Sequence, residues 1–132
     1  MIPEDFVTFD QAVKLKELGF NEGCNHFYPS EQPNAPFTMP NYHTNDEIYN
    51  AFSAPTLAQT QKWLREKEIE VGVFAEFDGE LRTDKWVWLM RKFNTHLYDT
   101  VFPEGISYDT YEQALSAGID NALENLKEKK DE

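Results

Sequence analysis

"IEVGVFAEFDGELRTDKWVWLMRKF", residues 69–93, decides the fold. In its first half Ile69, Val71, Val73, Ala75 and Phe77 fall on one side of an extended chain. Glu70, Gly72 and Glu76 fall on the other, with Phe74 the exception. Alternation of period two marks a β-strand with one buried face. The second half, "KWVWLMRKF" (85–93), is apolar on both faces for most of its length. A strand of that kind is central and covered on each side, or keeps one side for a partner. Asp78-Gly79 offers a tight hairpin turn. Taken as a two-residue loop, it sets Ala75 opposite Arg82 and Val73 opposite Asp84, with charges on the apolar face. A longer loop, "DGELRTDK", pairs Phe77 with Trp86, Ala75 with Trp88 and Val73 with Met90, and is the expected register.

Beyond the hairpin, "THLYDTVF" (95–102) reads as a third strand, ended by Pro103-Glu104-Gly105. Helices flank it on both sides. A Thr followed three residues later by Gln is a capping box, in which hydroxyl and amide satisfy two orphan backbone donors of a helix start. Thr8 with Gln11, Thr56 with Gln59 and Thr110 with Gln113 all qualify; Asp109 with Glu112 is an equal candidate for the third. The boxes start at uneven intervals and the residues after them do not align, so they are shared helix starts and not repeats. The first helix carries Ala12, Leu15 and Leu18, then Gly19 in the left-handed conformation and Phe20 packing back on Leu15. The second carries Leu57, Trp63 and Leu64. The third shows one stripe of Tyr111, Ala114, Leu115, Gly118, Ile119, Ala122, Leu123 and Leu126. Weak strands are expected at "CNHFY" (24–28) and "EIYNAF" (47–52). The segment 29–46, with four prolines and no periodicity, reads as a long loop, either pinned by Phe37, Met39 and Tyr42 or partner-binding.

The whole is therefore expected to be an α+β protein: three helices with a small antiparallel sheet, in a C-terminal order of helix–strand–strand–strand–helix. Its 132 residues fit a single domain, with the Pro-rich loop at 29–46 and a tail at 127–132 expected to be acidic with the third of the chain it ends, though Lys127, Lys129 and Lys130 balance its three carboxylates. Ten Phe, six Tyr and three Trp are more than a disordered acidic chain would carry, so a packed fold is expected.

Net charge is −12, distributed unevenly: residues 1–53 hold 8 acids and 2 bases, residues 54–93 hold 7 of each, and residues 94–132 hold 9 acids and 3 bases. Acidic ends repel phosphate backbones, so direct nucleic-acid binding is not expected. They attract a basic protein partner, or simply keep the chain in solution. No stretch approaches the roughly 20 apolar residues of a membrane helix. The start, "MIPEDFVTFD", lacks the layout of a signal peptide, and Cys24 is the single cysteine. The expected location is the cytoplasm. A strand edge without charge leaves self-association open.

Chemistry is sparsely written. His26, His43 and His96 share no metal-ligand spacing, with or without Cys24, and no metal or cofactor is expected. A Cys24–His26 pair, two apart on a strand, is the one arrangement from which a thiol enzyme could be built. Phosphate-binding glycine loops, nucleophile elbows and dinucleotide fingerprints are missing. The expectation is a non-enzymatic protein. Among the aromatics Trp88 is expected in the core, while Trp63 and Trp86 are the candidates for partial exposure. Together with Phe37 and Tyr42 they form the candidate partner-binding set.

Three stretches, "FVTFDQAVKLKELGF", "SAPTLAQTQKWLREKEIEV" and "SYDTYEQALSAGIDNALENL", occur in that order. They resemble a group of small proteins encoded by phages and integrated mobile elements of gut bacteria. The resemblance implies a small α+β fold and carries over no functional residue. More loosely, "VFPEGISYDTYEQALSAGIDNAL" (101–123) resembles HicB-type antitoxins, and the strand order after the second helix resembles double-stranded-RNA-binding domains. The antitoxin likeness implies an inhibitory role; with the acidic charge, the alternative expectation is an acidic inhibitor of a basic protein, antitoxin-like or a nucleic-acid mimic.

Overall fold

The computed structural model describes residues 5–31, 35–94, 97–103 and 105–131. The chain is α+β, with three helices and antiparallel strands. Its elements are α1 (Phe9–Glu17), β1 (Cys24–Pro29), β2 (Phe37–His43), β3 (Ala51–Ser53), α2 (Leu57–Glu66), β4 (Ile69–Asp78), β5 (Leu81–Asn94), β6 (Leu97–Val101) and α3 (Tyr111–Asp131). They gather into two compact units, one from residues 1–58 and 123–132, the other from 59–122. Each unit carries its own three-stranded sheet, ordered β2-β1-β3 in the first and β4-β5-β6 in the second. Helix–strand–strand–strand–helix is the order observed from α2 to α3.

In the first unit α1 begins as its capping box requires. Thr8 Oγ1 accepts from the Gln11 backbone at 3.2 Å, and Gln11 Oε1 accepts from the Thr8 backbone at 2.9 Å. The Gln11 amide oxygen is thereby satisfied although the residue is fully buried, as are Ala12 and Leu15. The helix ends in a left-handed Gly19, with φ +92°; Phe20 N–H donates to Leu15 O at 2.8 Å and Gly19 N–H to Lys16 O at 3.1 Å. This double closure turns Phe20 into the core. Asn45 ties the sheet to that turn: its amide donates to Phe20 O at 2.8 Å and accepts from Ser53 N–H at 2.9 Å.

Two expectations for this unit are corrected. The segment 29–46, read as an irregular loop, contains β2, which pairs with β1. The prolines did not forbid it because Pro40 falls where the register shifts, between the Cys24–His43 and His26–Thr38 pairs, on an edge strand. The strand expected at 47–52 is shorter and later, Ala51–Ser53. A turn comes first: Glu47 accepts from the Thr44 backbone at 2.9 Å, and Asn50 takes φ +58°. Residues 32–34 of the expected loop lie outside the described residues.

In the second unit the hairpin is tighter than expected. The loop is Gly79-Glu80, since Asp78 pairs with Leu81 and Phe77 with Arg82. Gly79 has φ +66°, as the first position of such a turn demands. Ala75 then pairs with Trp86, Val73 with Trp88 and Val71 with Met90, two residues out of the expected register. A bulge reconciles the two. Three residues, Thr83 to Lys85, stand against Glu76 alone, with Asp84 at φ +65°. A shift of two preserves the face, so Trp86, Trp88 and Met90 do share a side with Val71, Val73 and Ala75. That side is covered by α3. A Cβ on Gly118 would stand 2.7 Å from Val71 Cγ1 and 3.1 Å from Trp88 Cβ, so the helix rides close on the sheet. Of the expected stripe, Ala114, Leu115, Ile119, Ala122 and Leu123 are buried. The third strand, expected over 95–102, runs Leu97–Val101; residues 95 and 96 lie outside the described residues.

Candidate protein-interaction surface

β5 outreaches the pairing of β6, and the return of the chain after β6 fills part of the gap. Trp86 N–H donates to Tyr108 O, and Tyr108 N–H to Trp86 O, both at 2.8 Å. Asp109 follows and pairs with Lys85, the hydrogen bond and charge of Asp109 holding the lysine above its ordinary pKa. Thr110 then caps α3, its hydroxyl accepting from Gln113 N–H at 3.1 Å. This sequence of contacts brings Tyr111, the first residue of α3, edge-on to Trp86 with 5.5 Å between ring centroids. On the sheet, the Arg82 guanidinium lies 5.0 Å from the centre of the Trp86 ring. A cation over an indole face is attracted by the ring quadrupole.

Phe77 lies on the same face, opposite Arg82, and is 59% exposed, and Tyr111 is 39% exposed; Leu81, 76% exposed at the turn, pairs with Asp78 and so faces the other way. This face of the hairpin thus carries Phe77, Trp86 and Tyr111, held by two backbone hydrogen bonds, an ion pair and an arginine over the indole. Exposed apolar residues gathered on one face are what a protein-contact site requires. The opposite face of this sheet extends the character, with Phe74 and Phe93 exposed and Val87 and Leu89 half-buried.

Of the four residues singled out by sequence, Trp86 is half-buried at the centre of this tip. Trp63, expected to be partly exposed, is only 6% exposed; it lies on the buried face of α2, with Lys67 Nζ 5.3 Å from its ring centre. Helical spacing puts it beside Leu64 and Thr60, both fully buried, and that is why it goes inside. Phe37 (40% exposed) and Tyr42 (70%) stand near opposite ends of β2 in the other unit. Sequence reading missed Phe77, Leu81, Arg82 and Tyr111. The exception Phe74 and the Asp78-Gly79 turn were the available signals that apolar residues crowd this hairpin.

Cys24 and the histidines are placed differently from expectation. Cys24 pairs across the ladder with His43, and the register shift separates it from His26. The His26 ring stacks on Phe6 at 4.2 Å, with Nδ1 2.8 Å from Asn25 Oδ1. Burial pushes the Cys24 thiol up to about 11; the Ser53 side chain pulls against this rise and Glu22 adds to it. A thiol held protonated is the opposite of an activated nucleophile. Among the described residues no group of three or more His, Cys, Asp or Glu could hold a metal ion, and no helix is long and apolar enough to cross a membrane. His96 lies outside the described residues.

Compared with family models, curated proteins and solved structures, the chain matches none.

Proposed function

We propose that this chain is a cytoplasmic, non-enzymatic accessory protein that works by binding another protein through the tip of the β4–β5 hairpin. The observation that carries the reading is the Arg82–Trp86–Tyr111 cluster with exposed Phe77 on the same face. Tryptophan and arginine are the residues that most often dominate interface energetics, and here each holds the other in place. A net charge of −12 favours a basic partner, steered in by the field of the whole chain. The resemblance to proteins of phages and mobile elements belongs to the same proposal.

Affinity capture from a lysate of the source cell, with the wild-type chain and Trp86→Ala side by side, tests it. The expected result is a protein retained by the wild type and weakened by roughly 30-fold, about 2 kcal/mol, in the variant. Equal capture by both would remove the hairpin tip from the reading. The alternative, an acidic inhibitor of a basic protein, draws on charge alone. It predicts capture lost at high salt and indifferent to Trp86.

A further inference from the structure

β4 is an edge strand, and the direction of its backbone groups can be worked out. Trp86 uses its N–H and C=O to bond Tyr108, on the side away from β4. Its cross-strand partner Ala75 therefore belongs to a non-hydrogen-bonded pair, and sends its own N–H and C=O away from β5. By alternation Val71, Val73 and Phe77 do the same. Gln61 agrees: its Nε2 donates to Val71 O at 2.7 Å, from outside the sheet. Among the described residues no other bond reaches this edge, so Val73, Ala75 and Phe77 present three N–H and three C=O groups over about 14 Å. No proline or lysine of β4 guards them.

The side chains of β4 state what would fit beside it. Val71, Val73, Ala75 and Phe77 alternate with Gly72, Phe74, Glu76 and Asp78. One face is wholly apolar; on the other the charges, with Glu70, are acidic and none is basic. Directly opposed side chains on adjoining strands stabilise when apolar meets apolar and when charges differ in sign. We infer that the free edge of β4 takes up an extended segment of the partner protein in which apolar and basic residues alternate. The inference rests on the reading of the chain as a protein-binding one, and supplies the chemistry of the bound segment. A second copy of this chain fits less well. Centred on Val73, an antiparallel pair of β4 strands sets Glu70 against Glu76; centred on Ala75, it sets Glu76 against Phe74.

The probe is a capped, fluorescently labelled heptapeptide of alternating lysine and valine, followed by anisotropy against the wild-type chain. In the bound register the valines carry the N–H groups that face β4, while those of the lysines face solvent. N-methylation of the valines is therefore expected to weaken binding at least tenfold, and N-methylation of the lysines to leave it unchanged. Ala75→Pro is expected to cause a comparable loss, because it deletes an N–H that the β4–β5 ladder does not use. The methylated pair needs only the wild-type chain, so the test stands whether or not that variant folds. Equal binding of the two methylated peptides would mean charge attraction alone and overturn the inference. So would absence of binding, or self-association of the chain that Ala75→Pro abolishes. Should the peptide fail while capture remains dependent on Trp86, the edge falls and the protein-contact reading stands.

Discussion

Cys24 shows how much of a residue's chemistry is decided by where it is buried. Its thiol is pushed from 9.0 up to about 11, chiefly because a thiolate there would lose its water. Two pKa units leave roughly a hundredfold less thiolate at pH 8. Labelling of the native chain by an aromatic disulfide at that pH should therefore run at least about a hundredfold slower than labelling of the chain in guanidinium. Rates within threefold of each other would show that the thiol is not buried. The same shift sets a pH dependence. Because the folded value lies above the unfolded one, the unfolded chain gives up its proton first. The thiol's contribution is complete below about pH 9 and is lost as pH climbs to about 11. Its slope is at most about 1.4 kcal/mol per pH unit, and Cys24→Ala removes that part. Tyr28, also pushed up by burial, keeps its own part, so the difference between the two chains isolates the thiol.

Among the elements, the β4–β5 hairpin carries the most information. Asp84 sits at φ +65°, where a small polar side chain is tolerated and a β-branched one is not. Asp84→Gly is expected to change stability by only a few tenths of a kcal/mol and Asp84→Val to cost about 1–2 kcal/mol, measured by urea unfolding. Equal effects would show that the bulge does not need the left-handed residue. This bulge also marks where the sequence stops being readable. Period-two alternation told which side chains share a face, because a face depends only on parity. Register was not legible, since nothing in "GELRTDK" announces that two residues will be absorbed without pairing. For β2 the difficulty was similar: Pro40 argues against a strand unless it is known to stand in a register break. Helix starts were legible because Thr8 with Gln11 and Thr110 with Gln113 act over three residues, within reach of local reading. The Arg82–Trp86–Tyr111 cluster was not, because Tyr111 reaches Trp86 only after β6 and the return past Tyr108.

Across the whole molecule, two helices cross the divisions between the units. α2 runs through the division at 58 and 59, and α3 runs unbroken from Tyr111 to Asp131, through the division at 122 and 123. Gly118→Ala asks whether the units unfold as one. Alanine in a helix interior usually gains up to about 1 kcal/mol over glycine. Here the added methyl stands 2.7 Å from Val71 Cγ1, and overpacking of that kind costs about 1–3 kcal/mol. A net loss of about 1–2 kcal/mol is expected in global unfolding. If the units unfold as one, the slowest-exchanging amides of β1, in the other unit, lose the same amount of protection. Unchanged protection in β1 would mean that the units melt separately. Gln61 has a further consequence, on a longer timescale. Among the described residues its amide is the one side chain that closes Val71 O, and an amide is hydrolysable. Deamidation would set a carboxylate against a carbonyl, two acceptors face to face, and release the oxygen that the glutamine held. An ageing molecule would thus lengthen its own open edge by one residue, a lesion that Gln61→Glu reproduces in fresh protein and that the lysine–valine peptide would register as tighter binding.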